Sequence, residues 1–231
     1  MNHQASAWVV DETIRGRKTA KVLANPSQCQ AVAAQIPADF TETLRTMIET
    51  AGYAPFHKIA HKETHLQGDL RSPVPWRFYV VLKPMCCALL DFLAVQANEN
   101  PDSKWSRAWE SKVPRLIAGT GALIQVTWLP DPPAQGDQPE LTENNIEHLA
   151  AASAAVQNLL IAAEARGLHN YWATGGILRE PEVFDYLHIP RSQKLLGAIY
   201  IVPPGLPHEE IEPGALRDKR GSSEEWAVWL G

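Results

Sequence analysis

One stretch of this 231-residue chain limits its fold more than any other. Asn144 to Gly176 reads NNIEHLAAASAAVQNLLIAAEARGLHNYWATGG. From Leu149 to Ala163 nearly every position is apolar or small, with only Ser153, Gln157 and Asn158 interrupting. The run is too short and too Ala-rich for a membrane span. It is too poor in β-branched residues for a long strand. A helix that is apolar nearly all round must be buried on most sides. Asn144 or Asn145 can cap its start, and Gly167 after Arg166 suits the C′ position. The sequence therefore predicts one buried central helix with the remaining elements packed around it.

The length suits a single domain over residues 1–231, large enough to bury a substantial core. The net charge of −5 comes from interspersed acidic and basic residues. No long basic stripe exists, so no nucleic-acid partner is expected. No segment holds eighteen uninterrupted apolar residues, so no membrane span is expected either. The opening MNHQASAWVVDETIR lacks a basic region followed by an apolar one, so a signal peptide is not expected and the cytoplasm is the expected compartment. Three cysteines, two of them adjacent as Cys86-Cys87, suggest neither a disulfide framework nor a zinc site. Eight tryptophans are many, enough for the core and for one or two in a ligand pocket.

In chain order, a helix is expected over Val9 to Arg17, leading into RKTAKVLA. Pro26-Ser27 opens a second, with Ser27 as cap, and Thr41 to Gly52 forms a third with Leu44, Met47, Ile48 and Ala51 at helical spacing. Tyr53 to Trp76 reads as an irregular polar stretch over a functional site. Arg77 to Lys83 is a buried strand, ended by Pro84 and followed by a helix over Met85 to Gln96. Trp105 and Trp109 share a helical face between Asn98 and Arg115. Gly121 to Trp128 is a second strand, and Pro130 to Glu140, with four of the eighteen prolines, is a surface loop. A short helix over Glu180 to Leu187 precedes a third strand, Leu195 to Val202. The polar tail ends on an apolar patch, Trp226 to Leu230. Strands separated by helices, with no second domain, point to an α+β layered fold.

Several motifs carry chemistry. Arg17, Lys18, Thr19 and Lys21 form RKTAK. An Arg fork with hydroxyl donors suits a phosphate dianion, although four such residues also describe a solvated helix end. Ser72 to Trp76, SPVPW, leads into RFYVV. His57, His61 and His65 stand at i, i+4 and i+8, where one helical face could bind a metal. Lys58 and Lys62 beside them favour instead a basic lid facing an anionic ligand, and no metal is expected. The paired Gly175 and Gly176 let backbone approach a ligand closely. Lys219-Arg220 forms a late basic pair, for which Arg217 could substitute.

Together these segments resemble the nitroreductase family of flavoenzymes. There a long Ala-rich helix runs into a G-L-x-x-x-W-x-T-G pattern, matched here by GLHNYWATGG and continued by FDYLHIPRSQKLLGAIYIVPP. RKTAK is similar to the family's early basic-x-Ser/Thr-x-basic signature, and SPVPW to its Asn-x-Gln-Pro-Trp, with Pro75 and Trp76 retained, Ser72 for the Asn and Val74 for the Gln. Ala54-Pro55 resembles Ala-Pro-Ser with Phe56 for the Ser, and an inserted loop at about 56–72 follows. The resemblance implies a three-layer fold with a mainly antiparallel four- or five-stranded sheet flanked by helices. It implies FMN held at its phosphate by Arg17, Lys18 and Thr19 with Lys219 and Arg220, and at its ring by Lys21, Ser72, Pro75 and Trp76. Trp172 and Thr174 would lie at the ring, and backbone N–H groups of Gly175 and Gly176 would face its N5 or O4. It also implies a homodimer with flavin clefts at the interface, NADH or NADPH as hydride donor, and a small oxidant such as a nitroaromatic, quinone or enone. No side-chain acid or base is expected. The departures at Phe56, Ser72 and Val74 leave an alternative: a flavin-binding or flavin-consuming module without reductase activity.

Overall fold

A computed structural model describes residues 3–61, 72–131 and 139–230. A four-stranded antiparallel sheet of order β2-β3-β5-β4 forms the middle layer, from β2 (Trp76–Leu82), β3 (Ala122–Trp128), β4 (His169–Ala173) and β5 (Lys194–Val202). One face packs on α3 (Phe40–Ala51) and the central helix α7 (Glu143–Glu164). Their meeting side chains include Leu44, Met47, Val156, Leu159 and Leu160, set against Ile124, Val126 and Ile199. The other face, through Val81, Leu123, Ala198 and Tyr200, packs on α4 (Lys83–Glu99), α5 (Lys104–Trp109), α6 (Val113–Gly119) and α8 (Pro181–Tyr186). The period-2 alternation of each strand supplies both faces. This is the expected α+β three-layer architecture.

The ends of α7 follow local chemistry. Thr142, rather than Asn144 or Asn145, caps it by accepting from the Asn145 N–H at 3.2 Å. Asn145 is spent elsewhere: its Oδ1 accepts from the Asp131 N–H at 2.7 Å and its Nδ2 donates to the Glu140 carbonyl at 2.7 Å. Gly167 stops the helix as expected, at φ +67°, with Leu168 N–H reaching the Ala163 carbonyl at 3.0 Å. One flank of α7 is uncovered in the single chain, where Ala150 and Gln157 are exposed and Ile146 is 53% exposed.

Several local expectations are corrected. Asn25, not Ser27, caps the 3₁₀ turn Pro26–Gln28 that precedes α2 (Cys29–Ala33), because its carboxamide oxygen accepts from the Ser27 N–H. The strand after Trp76 is a sheet edge and not fully buried: Val80 and Leu82 are both more than a third exposed. Lys83 belongs to α4, where Pro84 occupies the first turn, a position that needs no amide donor. Leu129, Pro130 and Asp131 are buried, so the proline-rich segment begins inside the protein. Cys29 and Cys87 form a disulfide with Cα atoms 5.7 Å apart, which joins α2 to α4 across 58 residues of sequence. Cys86 is free and buried, its thiol pushed up to about 11 by burial. Three short strands were not anticipated: β1 (Ala20–Leu23), within RKTAKVLA, pairs antiparallel with β6 (Glu210–Pro213), and β4 forms within GLHNYWATGG.

Candidate functional site

The helix α1 (His3–Gly16) delivers the chain to Arg17 at the C-terminal end of α7. The tail returns to the same place. Arg217 donates from Nη1 to the Arg17 carbonyl at 2.7 Å, and from Nη2 to the Arg15 carbonyl. The Arg17 guanidinium is half-buried, and its pKa is lowered by burial and by the charges of Arg217 and Arg220, with Glu164 opposing. Like charges gather here although they repel, the arrangement expected where an anion is to be bound. Of the late basic residues, Arg217 makes the contact with the Arg17 segment and Arg220 adds its field. Lys219 has no described contact with Arg17, and Lys18 is exposed.

From Arg17 the chain runs along β4. Thr19 forms a parallel bridge with Asn170, so the β1 segment flanks this edge of the main sheet. The Lys21 ammonium lies over the Tyr171 ring, 5.6 Å from its centroid, and 3.8 Å from Glu212. Lys112 also binds Glu212, at 2.5 Å, and holds its carboxyl below the usual range. Tyr171 stacks on Tyr200 at 5.9 Å, which fixes the plane under the ammonium. Asn170 is buried with its Oδ1 unpartnered, an orphan acceptor beside Thr19.

β4 then feeds Thr174-Gly175-Gly176. Gly175 has φ +107° and Gly176 φ +55°. A Cβ on Gly175 would stand 2.5 Å from Leu195 Cδ2, whereas one on Gly176 would meet nothing within 4 Å. The first glycine is required by packing and backbone, and the second leaves open space beside the turn. Thr174 is exposed. The Trp172 indole is turned to the opposite face from Tyr171 and packs on Gly197. Arg17, Thr19, Lys21 and the glycine turn therefore line one edge over about five strand residues, roughly 17 Å.

Ser72, Pro75 and Trp76 do not join this group within one chain. They sit at the start of β2, the opposite sheet edge, three strand spacings or about 14 Å from β4. Trp76 is buried among Ala54, Trp128, Ala151 and Ala155 and meets Phe56 edge-on at 5.7 Å, so its indole is a core group. Ser72 accepts from Arg77 Nη2 through its carbonyl at 2.8 Å. His57 and His61 lie in irregular chain, so the helical face that would align them is not formed there, and His65 and Lys62 lie outside the described residues. The segment is tied down by Ala60 N–H to the Pro73 carbonyl (2.9 Å) and His61 N–H to Asp131 (3.2 Å).

Sequence reading did not single out Asn170, Tyr171 or the Arg179 that follows the turn. The first two stand inside GLHNYWATGG, where alternate residues of a strand would have revealed opposite facings.

The Nitroreductase family profile matches residues 41–203, and the chain belongs to this family. A Bacillus subtilis (strain 168) protein, YfhC, provisionally named an NAD(P)H nitroreductase, is 26% identical over 168 residues, covering 72% of this chain and 73% of that protein. Among solved structures, a nitroreductase-like family protein from Bacillus cereus has TM-score 0.60 at 19% identity, with 96% of each chain covered. A nitroreductase with bound FMN from Desulfitobacterium hafniense DCB-2 has TM-score 0.55 at 19% identity, with both chains covered fully. The nitroreductase CinD from Lactococcus lactis, in complex with nicotinic acid, has TM-score 0.59 at 12% identity, with 96% and 99% covered. These likenesses establish the fold.

Proposed function

We propose that the protein is an FMN-dependent oxidoreductase that takes hydride from NADH or NADPH and reduces a small organic acceptor such as a nitroaromatic, quinone or enone. The observation that carries this reading is the cationic cluster of Arg17, Arg217 and Arg220 at one end of β4, with the open Gly176 at the other. The bound FMN of the Desulfitobacterium relative and the name of the Bacillus subtilis relative support it.

The donor set fits the cofactor. Arg17 and Arg220 would hold the phosphate, with Arg217 fixing the backbone around it, and the Thr19 hydroxyl adds a neutral donor. Lys21 sets positive charge midway along the edge, and the backbone of Gly175 and Gly176 presents polar groups where a side chain would obstruct. Bound there, FMN would supply the hydride-accepting and hydride-donating chemistry, and the protein would supply position and electrostatics.

A second copy would bring Ser72 and its neighbours to this edge. Three apolar surfaces left open in one chain support that assembly: α1 has no buried residue and exposes Trp8 and Ile14, α7 exposes Ile146, and the tail exposes Trp229 and Leu230. We propose a homodimer with two clefts between subunits, each using both. Sedimentation of a flavin-loaded monomer would overturn this part.

The test of the whole is spectroscopic. The protein is expected to take up FMN stoichiometrically and to be bleached anaerobically by NADH or NADPH. FMN uptake without bleaching would favour the flavin-binding module.

A further inference from the structure

The β1–β6 ribbon and the start of α6 bring three charges together at the edge where Lys21 stands. Lys21 and Glu212 are directly opposite each other in the antiparallel pairing, so their side chains rise from the same face of the ribbon. The Lys21 ammonium lies between two attractions, 3.8 Å from Glu212 Oε2 and 5.6 Å from the centroid of the Tyr171 ring. Lys112, immediately before α6, donates from Nζ to both carboxylate oxygens of Glu212 at 2.5 Å. Arg115 is the next cation, and it is taken by Glu209 at 3.2 Å and Glu210 at 3.7 Å.

The carboxylate is shared unequally. Lys112 makes direct charge-assisted hydrogen bonds, whereas Lys21 stands at ion-pair distance, beyond a hydrogen bond. Its hydrogen bonds with Lys112, and the charges of Lys112, Lys21 and Arg115, hold the Glu212 carboxyl below the usual range, so it stays ionised at neutral pH. The Lys21 and Glu212 side chains are only 27% and 22% exposed, so salt screens their pair less than it screens a surface pair. Were Lys112 absent, the whole of this carboxylate would fall to Lys21. Were Glu212 absent, nothing opposite Lys21 on β6 would draw its ammonium away from Tyr171.

We propose that Glu212 is a positioning residue that acts on the flavin edge through Lys21, drawing the ammonium toward β6, and that Lys112 limits this draw by taking the greater share of the carboxylate. The inference rests on the FMN reading above and deepens it by naming what regulates that site. Hydride transfer leaves the flavin ring with one more negative charge, which a cation alongside favours over the oxidised ring. The position of Lys21 therefore sets the redox potential more than the grip on the cofactor, whose phosphate belongs to the cluster around Arg17 at the other end of β1.

Spectroelectrochemistry and fluorescence titration of the full-length protein loaded with FMN test this. Glu212→Gln releases Lys21 and should raise the affinity for reduced relative to oxidised FMN by about three- to tenfold, a rise in midpoint potential of about 14–30 mV. Lys112→Met gives Glu212 wholly to Lys21 and should shift the potential by a similar amount in the opposite direction. Glu212→Asp keeps the charge and should recover more than half of the Glu212→Gln shift. In a Lys21→Met background that shift should fall below half its size, whereas a field exerted directly by the carboxylate would persist in full. Equal potentials in all variants, shifts of the same sign in Glu212→Gln and Lys112→Met, or a Glu212→Gln shift undiminished by Lys21→Met would overturn this inference and leave the FMN reading intact. A tenfold loss of oxidised-FMN affinity in both Glu212→Gln and Glu212→Asp would mark Glu212 as structural only and overturn the inference as well. A protein that takes up no FMN overturns both.

Discussion

Replacing Arg17 with alanine should shift the stability of the protein in opposite directions with and without FMN. The Arg17 guanidinium is half-buried beside Arg217 and Arg220, with Glu164 as the opposing charge. Without an anion, the substitution removes a repulsive neighbour and a desolvated charge. At a half-exposed site such charge interactions amount to about 0.2–1 kcal/mol, so the apoprotein should melt at the same temperature or slightly higher. With FMN, the loss of a charge-assisted partner for the phosphate costs about 2–3 kcal/mol. Because about 1.4 kcal/mol corresponds to tenfold, the dissociation constant should rise roughly 30- to 150-fold. Flavin fluorescence quenching gives the affinity, and thermal melts with and without FMN give the two signs. Arg217→Ala is the contrast: it releases the carbonyls of Arg15 and Arg17, so the apoprotein itself should lose stability. A dissociation constant within threefold of wild type, or an apoprotein clearly destabilised by Arg17→Ala, would refute the phosphate role.

Three further outcomes are expected. Lys21→Met removes a cation already shared with Glu212, so the flavin midpoint potential should fall by about 20–40 mV, where 30 mV is about 1.4 kcal/mol for two electrons; equal potentials by spectroelectrochemistry would place Lys21 away from the flavin ring. Gly175→Ala forces a Cβ into Leu195 at φ +107°, which should cost about 2 kcal/mol and lower Tm by about 4–8 °C, with Gly176→Ala costing less because space is free there. Lys83 is buried on the carbonyls of Ile117 and Ala118 with its pKa lowered from 10.5 to about 8, so the unfolded chain binds more protons above pH 8 and stability should rise with pH there. Cys86, raised from 9.0 to about 11, acts oppositely above pH 9, so the net gain from pH 7 to 9 should be about 1 kcal/mol. Urea midpoints at pH 7, 8 and 9 check this, and a rise that persists in Lys83→Met would exclude the lysine as its source.

What the sequence determined by itself is local and periodic. The Ala-rich run had to be a covered helix, Gly167 had to end it, and the apolar β-branched runs beginning at Arg77, Gly121 and Leu195 had to be strands. The ordered motifs resembling a flavoenzyme family were readable because backbone approach to a ligand demands particular residues at fixed offsets. Sequence also misassigned what depends on competition among neighbours: Asn145 was free to cap a helix until Asp131 and Glu140 claimed it. Only the tertiary structure decided what lies together. Arg217 meets the Arg17 segment across 200 residues because the β1–β6 pairing returns the tail to the first helix. Cys29 reaches Cys87 because α2 lands on α4. Trp76 turns inward because β2 is an edge whose first residue faces α7, and the same topology separates SPVPW from RKTAK by the width of the sheet. Strand order is set by long-range packing between surfaces that are each merely apolar in the sequence, so no local pattern could announce that the two motifs would stand on opposite edges.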